Sequence, residues 1–163
     1  MNQTQKINHE LQRLVAQGDW RFAVGLRIRF NHPTLLFQTY PEAWIAVYAQ
    51  RGLLFSDPAV AWGMTHFGLC TWAELESQDA AGVLALARTF GLNHGITVSV
   101  GDGGSRSIGF FTHSDRPIDA EEQALAVDAM TRLHAASEGV ADLDAAALAR
   151  LAALGDGLRV ARA

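Results

Sequence analysis

The chain has 163 residues, of which 49% are hydrophobic and 18% are charged, and its formal net charge is −4. This length and composition fit one globular domain, and the acidic balance excludes the basic face with which duplex DNA binders neutralise phosphates. One cysteine excludes an intramolecular disulfide, and the polar N-terminus and the lack of a run of about 18 apolar residues predict a cytoplasmic protein without a membrane span.

The first predicted elements are a helix and a β-hairpin. Apolar residues recur at helical spacing through residues 3–17, which predicts an amphipathic helix. Residues 20–30 then alternate between large apolar side chains and arginine, alanine or glycine, as in a strand with one buried face. A turn at residues 31–33 predicts that residues 35–39 form the hairpin partner of this strand.

Three helices are predicted next. The first covers residues 41–51, with a proline in its first turn. The second covers residues 58–66, also begins with proline, and has Asp57 or Ser56 as its N-cap. The third covers roughly residues 78–90 and ends at a glycine.

Two more strands and a long helix complete the predicted domain. The strands are residues 94–100 and 106–113, and the glycine-rich stretch 101–104 joins them as a hairpin loop. A helix runs from residue 117 to about residue 136, and the Ala/Leu-rich tail, 143–163, contains one more helix. Two hairpins with helices between them predict an α+β domain with an antiparallel sheet rather than a parallel nucleotide-binding sheet.

The sequence contains none of the common catalytic motifs. It has no G-x-S-x-G elbow, no Walker loop and no H-E-x-x-H pair, and its histidines lack paired metal-ligand spacing. The glycines at 101–104 lack the strand–helix setting in which such loops hold phosphate. We therefore predict no catalytic residue, no metal and no cofactor, and a protein that is not an enzyme.

A group of aromatic residues and one carboxylate is more informative. Tyr40 lies just before a predicted helix, and Trp44 and Tyr48 lie four residues apart on one face of that helix. Asp57 and Trp72 follow. Each residue alone has an ordinary structural interpretation, because aromatics at helical spacing are usually core residues and an Asp before Pro is usually an N-cap.

Together these residues resemble the motif set of a known family. The shared pattern consists of Tyr40-Pro41-Glu42-Ala43-Trp44, Tyr48, Asp57-Pro58, Trp72, Gly91 and Gly95. This pattern is similar to the autoinducer-binding domain of LuxR-type quorum-sensing transcriptional regulators, and the resemblance covers roughly residues 5–136. It implies that the ligand is an N-acyl-homoserine lactone.

The resemblance also implies a role for each residue. The Trp44 indole N–H would donate to the lactone carbonyl, the Asp57 carboxylate would accept from the amide N–H, and the Tyr40 hydroxyl would donate to the amide carbonyl. Trp72 would pack against the lactone ring, and Thr112 lies where the family places a hydroxyl beside the acyl head. The residues expected to support the site structurally are Tyr48, Pro58 and Gly95.

The expected architecture is an α-β-α sandwich, with helices on both faces of a central antiparallel sheet and the ligand between the sheet and one helix layer. Residues 1–140 would form the autoinducer-binding domain, and residues 141–163 a C-terminal helical tail or linker. Within this tail, residues 143–158 faintly resemble the opening helix of the family's helix-turn-helix domain. We expect a homodimer that makes no direct contact with nucleic acid or membrane.

Several alternatives stay open from the sequence. The chain could be a truncated regulator, or a stand-alone domain that sequesters ligand or inhibits a full-length regulator. It could be a sensor of similar shape for a flavin, a haem or an aromatic acid, or an interaction module that only dimerises. A lactone-hydrolysing enzyme is the weakest alternative, because metal ligands and an activated nucleophile are lacking.

Overall fold

The computed structural model describes residues 1–17 and 19–158. Their strands form one antiparallel sheet of five strands in the order β2-β1-β5-β4-β3. The strands are β1 (Arg21–Arg29), β2 (His32–Gln38), β3 (Gly68–Thr71), β4 (His94–Asp102) and β5 (Ser105–His113). The predicted antiparallel sheet is confirmed, and β3 is a strand that the sequence analysis missed.

The α-helices of the described residues lie on both faces of the sheet. They are α1 (Gln3–Ala16), α2 (Glu42–Gln50), α3 (Pro58–Thr65), α4 (Val83–Arg88), α5 (Ala120–Ala136) and α6 (Ala145–Ala152). Four short 3₁₀ helices cover Leu53–Ser56, Trp72–Gln78, Val140–Asp142 and Ala153–Gly155. No helix in the described part of the chain is both long and apolar enough to cross a membrane.

One face of the sheet packs against α1, α5 and the C-terminal segment. The apolar side of α1 and inward residues of β1, β4, β5 and α5 form a common core here, which we call the first core. Its members include Leu11, Phe22, Val98, Phe111, Met130, Leu133, Leu151 and Leu158. The other face is covered by α2, α3 and α4, so the predicted α-β-α sandwich is confirmed.

Strand β1 departs from the predicted alternation at its end. The strand pairs with β5 in register up to Gly25, and a β-bulge then shifts the pairing before Ile28. Arg27 lies at the bulge with a φ of 53°. The alternation predicts an inward Phe30, but this side chain is 95% exposed. The prediction was wrong at this position because the bulge ends the period-two pattern.

The predicted helix at 78–90 is shorter than expected. A 3₁₀ helix occupies Trp72–Gln78, and α4 begins only at Val83. Gly82 precedes α4 in the left-handed region with a φ of 73°, which breaks continuous helix geometry. The predicted loop at 101–104 is also shorter, because β4 extends to Asp102 and β5 begins at Ser105.

The tail is helical where it is described. Its helix, α6, packs against β2, and Leu151 and Leu158 are buried in the first core. Residues 159–163 of the predicted tail lie outside the described residues. The predicted boundary between residues 140 and 141 stays a prediction.

Candidate ligand-binding site

The second core of the domain lies between the sheet and helices α2, α3 and α4. We call it the aromatic cluster. Its buried members are Trp44, Ala59, Cys70, Trp72, Leu75, Val83, Leu84, Ala87 and Leu92. The partly buried side chains that pack against them are Tyr40, Tyr48, Leu53, Trp62, Leu86, Phe90 and Phe110. Four of the aromatic residues predicted for the site therefore belong to one cluster.

The Asp57 carboxylate lies at the rim of the aromatic cluster and is partly exposed. Its Oδ1 accepts the N–H of Ala59 at 2.9 Å, so Asp57 is the N-cap of α3, with the buried Pro58 at the first helical position. Its Oδ2 accepts the Tyr48 hydroxyl at 2.8 Å. Burial raises the pKa of Asp57 above its ordinary value, and the hydrogen bonds from Tyr48 and Ala59 oppose that shift.

Trp44 is 4% exposed and lies beside Tyr48 on α2. The two rings meet edge to face with centroids 5.5 Å apart, and Phe90 packs on Trp44 at 5.4 Å. Tyr48 thus contacts Trp44 with its ring and Asp57 with its hydroxyl. Burial and the charge of Asp57 raise the pKa of Tyr40, so this phenol keeps its proton at neutral pH.

Two hydrogen-bond donors in this group have no partner among the residues that the structure describes. Within residues 1–17 and 19–158, neither the Trp44 indole N–H nor the Tyr40 hydroxyl makes a hydrogen bond to another residue. Neither atom is among the fully buried, unpartnered side-chain atoms of the described residues, so both donors are accessible to water or to a ligand. Asp57 also retains acceptor capacity, because an ionised carboxylate has about four lone-pair sites and the protein uses two.

Gly95 and Thr112 lie on the sheet, and Trp72, at the start of a 3₁₀ helix, packs against it. The Trp72 indole N–H donates to the Thr97 hydroxyl at 3.1 Å, and the Trp72 ring lies directly on the Gly95 backbone. A Cβ atom at Gly95 would be only 2.2 Å from the ring. Thr112 is 1% exposed, pairs with Gly95 across β4 and β5, and makes a long hydrogen bond of 3.5 Å to the Arg21 carbonyl.

Thr97 is a site residue that the sequence analysis missed. Thr97 lies two residues after Gly95, so both face the same side of β4, and it pairs with Phe110 of the aromatic cluster. A polar residue two positions from Gly95 in a buried strand was the available signal. Its partner Trp72 is 25 residues away in sequence, so spacing alone gave no indication of the contact.

The structure brings the predicted residues together in two groups on one face of the sheet. Tyr40, Trp44, Tyr48 and Asp57 form the helix-side group, and the sheet-side group contains Trp72, Gly95 and Thr112. A neighbouring cleft of about 560 Å³ is bordered by Trp72, Gly95, Arg88 and His94, but the helix-side group does not line it. We do not assign the ligand to this cleft, because Tyr40, Trp44 and Asp57 do not border it.

The five-stranded antiparallel sheet between two helix layers, with the aromatic cluster on one face, defines an α-β-α domain with a candidate ligand site. A family model described as the autoinducer binding domain matches residues 8–141. The chain therefore belongs to the autoinducer-binding domain family.

Two curated regulators are similar in sequence. The transcriptional activator protein SolR of Ralstonia nicotianae is 38% identical over 64 residues, which are 39% of this chain and 27% of SolR. The regulatory protein SdiA of Escherichia coli is 26% identical over 141 residues, which are 81% of this chain and 58% of SdiA. The chain thus spans less than two thirds of either relative.

Solved structures of such regulators share the fold. Crystalline Escherichia coli SdiA aligns with a TM-score of 0.63 at 22% identity, over 87% of this chain and 63% of that chain. SdiA in complex with octanoyl-rac-glycerol aligns with a TM-score of 0.58 at 17% identity, over 99% and 80% of the two chains. CepR2 from Burkholderia cenocepacia, an N-acylhomoserine lactone dependent LuxR family transcription factor, aligns with a TM-score of 0.54 at 13% identity, over 84% and 94%.

Proposed function

We propose that this chain binds an N-acyl-homoserine lactone in the aromatic cluster and serves as the sensing part of a LuxR-type regulator. The observation that carries the proposal is that the Tyr40 and Trp44 donors have no partner among the described residues and lie in the apolar cluster whose Tyr48 binds the Asp57 carboxylate. We further propose that the chain forms a homodimer in the cytoplasm and makes no direct contact with DNA.

The polar groups of the ligand match this set. The lactone and amide carbonyls are acceptors for the Trp44 and Tyr40 donors, and the amide N–H is a donor for Asp57. An indole only donates and an ionised carboxylate only accepts, so each rejects a ligand group of the same kind. A hydrogen bond to the charged carboxylate contributes roughly 1.5–3 kcal/mol.

The acyl tail supplies the rest of the affinity. Each methylene buried among the side chains of the aromatic cluster contributes about 0.8 kcal/mol. A few methylenes therefore equal the Asp57 hydrogen bond in free energy. The tail sets the strength of binding, and the polar head sets orientation and selectivity.

The proposal includes no chemical change of the ligand. The one thiol, Cys70, is buried in the aromatic cluster, and burial and the neighbouring Glu74 raise its pKa to about 11. It is the unreactive neutral thiol at neutral pH. We therefore expect the lactone to be recovered intact after incubation with the protein, by mass spectrometry.

A second candidate ligand is a monoacylglycerol, because the structurally similar SdiA was solved with octanoyl-rac-glycerol. Such an ester has carbonyl and hydroxyl groups but no amide N–H. It would use the Tyr40 and Trp44 donors and the same apolar surroundings. A glycerol hydroxyl can donate to Asp57 as the amide N–H does, but unlike the amide N–H it can also accept, so the two ligands should respond differently when Asp57 is replaced by asparagine.

The test is calorimetric titration with N-octanoyl-homoserine lactone and with octanoyl glycerol. Asp57→Asn should weaken lactone binding by about tenfold to hundredfold and octanoyl glycerol binding less, because a glycerol hydroxyl can accept from the asparagine amide whereas the lactone amide N–H cannot. Asp144→Asn is the matched control, because Asp144 caps α6 in the same way but lies outside the aromatic cluster. Folded wild-type protein that binds neither compound would refute the proposal.

A further inference from the structure

A buried histidine and several carboxylates meet at the end of β5, away from the aromatic cluster. His113 is the last residue of β5, Asp19 precedes β1, and Asp115 and Arg116 follow β5. Glu122 lies in the first turn of α5. We propose that Asp19, His113 and Asp115 form a site for a divalent transition-metal ion, Zn²⁺ being the ion that fits best.

The state of the His113 ring is the first observation. The side chain is 1% exposed, and its Nε2 lies 2.6 Å from the Glu122 Oε2. Its Nδ1 is buried, makes no hydrogen bond to the described residues, and lies 3.6 Å from the Asp19 Oδ1. If Nε2 carries the proton that Glu122 accepts, Nδ1 presents a lone pair toward a carboxylate. A cation between the two atoms removes that repulsion.

The spacing of the ligand atoms is the second observation. One atom each from Asp19, His113 and Asp115 lie within 4.8 Å of one another. Bonds of about 2.0–2.2 Å to tetrahedral Zn²⁺ place ligand atoms about 3.4 Å apart. The separation of 3.6 Å between His113 and Asp19 is already close to this value. Water would take the fourth position.

The Glu122 carboxylate binds the ring nitrogen of His113 that faces away from the proposed metal. A metal-bound histidine nearly always donates its other ring N–H to a carboxylate or carbonyl, which fixes the ring and its tautomer. Glu122 accepts from His113 in this way and is itself held by the N–H of Asp119 at 3.0 Å. The buried part of a histidine–metal site is therefore built into the fold.

The charges in this region favour a dication. Arg116 lies 3.4 Å from both Asp19 and Asp115 and 3.7 Å from Glu122, and it is the cation among these side chains when His113 is neutral. Three carboxylates and one guanidinium leave two negative charges, which a divalent ion neutralises. The Arg116 side chain is 45% exposed, so it can turn toward solvent when the metal binds.

The test is titration of the EDTA-treated, dialysed chain with ZnCl₂, followed by calorimetry. Wild type should bind one Zn²⁺ per chain. Asp19→Asn and Asp115→Asn should each weaken binding by about tenfold or more, and both replace exposed side chains, so folding is retained. The matched control is Asp128→Asn, an exposed acid on α5 outside the cluster. Cys70→Ser tests whether the zinc binds instead at the Cys70 thiol near Glu74.

A spectroscopic measurement identifies the histidine directly. In nitrogen-edited NMR spectra of the histidine rings, the His113 Nδ1 resonance should shift with bound zinc, and that of exposed His32 should not. The proposal is overturned if wild type shows no saturable binding. It is equally overturned if both aspartate variants bind like wild type, or if only Cys70→Ser loses the metal. None of these outcomes depends on lactone binding.

Discussion

Asp57 combines a structural and a proposed functional task in one carboxylate. It caps α3 through Ala59, accepts the Tyr48 hydroxyl, and keeps lone pairs for a ligand. Its burial raises its pKa, so its ionised form is less favourable in the folded domain than in the unfolded chain. The associated contribution to stability is present at low pH and is lost as pH rises through the folded-state pKa.

We predict a corresponding pH dependence of lactone affinity. Only the ionised carboxylate accepts the amide N–H without competition from its own proton. Affinity should therefore fall on acidification, beginning at a higher pH than an ordinary aspartate with a pKa of about 3.9 would give. Titrations of wild type from pH 7 downward test this, and Asp57→Asn should show weak binding with no such fall. Parallel curves for the two proteins would contradict the assignment.

Trp44→Phe tests the indole donor. The variant keeps an aromatic ring against Tyr48 and Phe90 but loses the N–H, so lactone affinity should fall by about twofold to tenfold. Trp20→Phe is the matched control, because Trp20 donates to the Leu14 carbonyl in the core on the other face of the sheet. Its affinity should equal that of wild type when both are measured well below their melting temperatures.

Gly95→Ala tests the contact between β4 and Trp72. The added methyl group would meet the indole ring, so Trp72 must move or the strand must shift. We expect a loss of about 1–3 kcal/mol in unfolding free energy and a changed tryptophan fluorescence spectrum. At Gly103 the same substitution meets open space, and Gly103→Ala should leave both quantities unchanged.

Individual residues of the site were partly predictable. An N-cap at Asp57 or Ser56 followed from Ser56-Asp57-Pro58, and the structure shows that it is Asp57. The shared face of Trp44 and Tyr48 followed from helical spacing. The hydrogen bond between Tyr48 and Asp57 did not, because it depends on the angle between α2 and α3. Sequence spacing fixes which residues share a helix face, but not which side chains meet between helices.

Among the elements, the strongest periodicities gave the best predictions. Helix α1, the strands of both hairpins and helix α5 occur where they were predicted. Strand β3 was missed because Gly68–Thr71 is too short to show an alternation, and it forms only by pairing with β4. The helix predicted at 78–90 begins later than expected, at Val83, because the left-handed conformation of Gly82 was not visible in the spacing of apolar residues.

Arg27, at the β-bulge of β1, connects three elements of the fold. The Arg27 guanidinium donates to the His134 carbonyl and to the hydroxyls of Ser105 and Ser137, so it joins β1, β5 and the end of α5. Arg27→Ala should lower the unfolding free energy by about 1–3 kcal/mol, because a partly buried set of acceptors loses its donor. Urea denaturation measures this, and the exposed neighbour Arg29 is the control, since Arg29→Ala should have little effect.

For the whole molecule, two cores lie on opposite faces of one sheet, and only the aromatic cluster contains the proposed ligand site. A ligand that binds only the folded chain stabilises it by about 2.7 kcal/mol at a concentration of 100 Kd. That corresponds to a rise in Tm of about 5–10 °C for a domain of this size.

Thermal melts with N-octanoyl-homoserine lactone should show this rise for wild type and for Asp144→Asn. Asp57→Asn should need a concentration about tenfold to hundredfold higher for the same rise. A Tm that does not change with lactone would favour a module that only dimerises, and sedimentation with and without lactone would then measure its association.

The last residues of β5 alternate between the two sides of the sheet. Phe111 points into the first core, Thr112 lies next to Gly95 on the side of the aromatic cluster, and His113 returns to the first side. Consecutive backbone amides at this end of β5 therefore lie next to the first core and next to the aromatic cluster in turn. Their NMR chemical shifts should report ligand binding on either face of the sheet. A slip of β5 by one residue would move the Phe111 ring to the side of the aromatic cluster and the Thr112 hydroxyl into the first core.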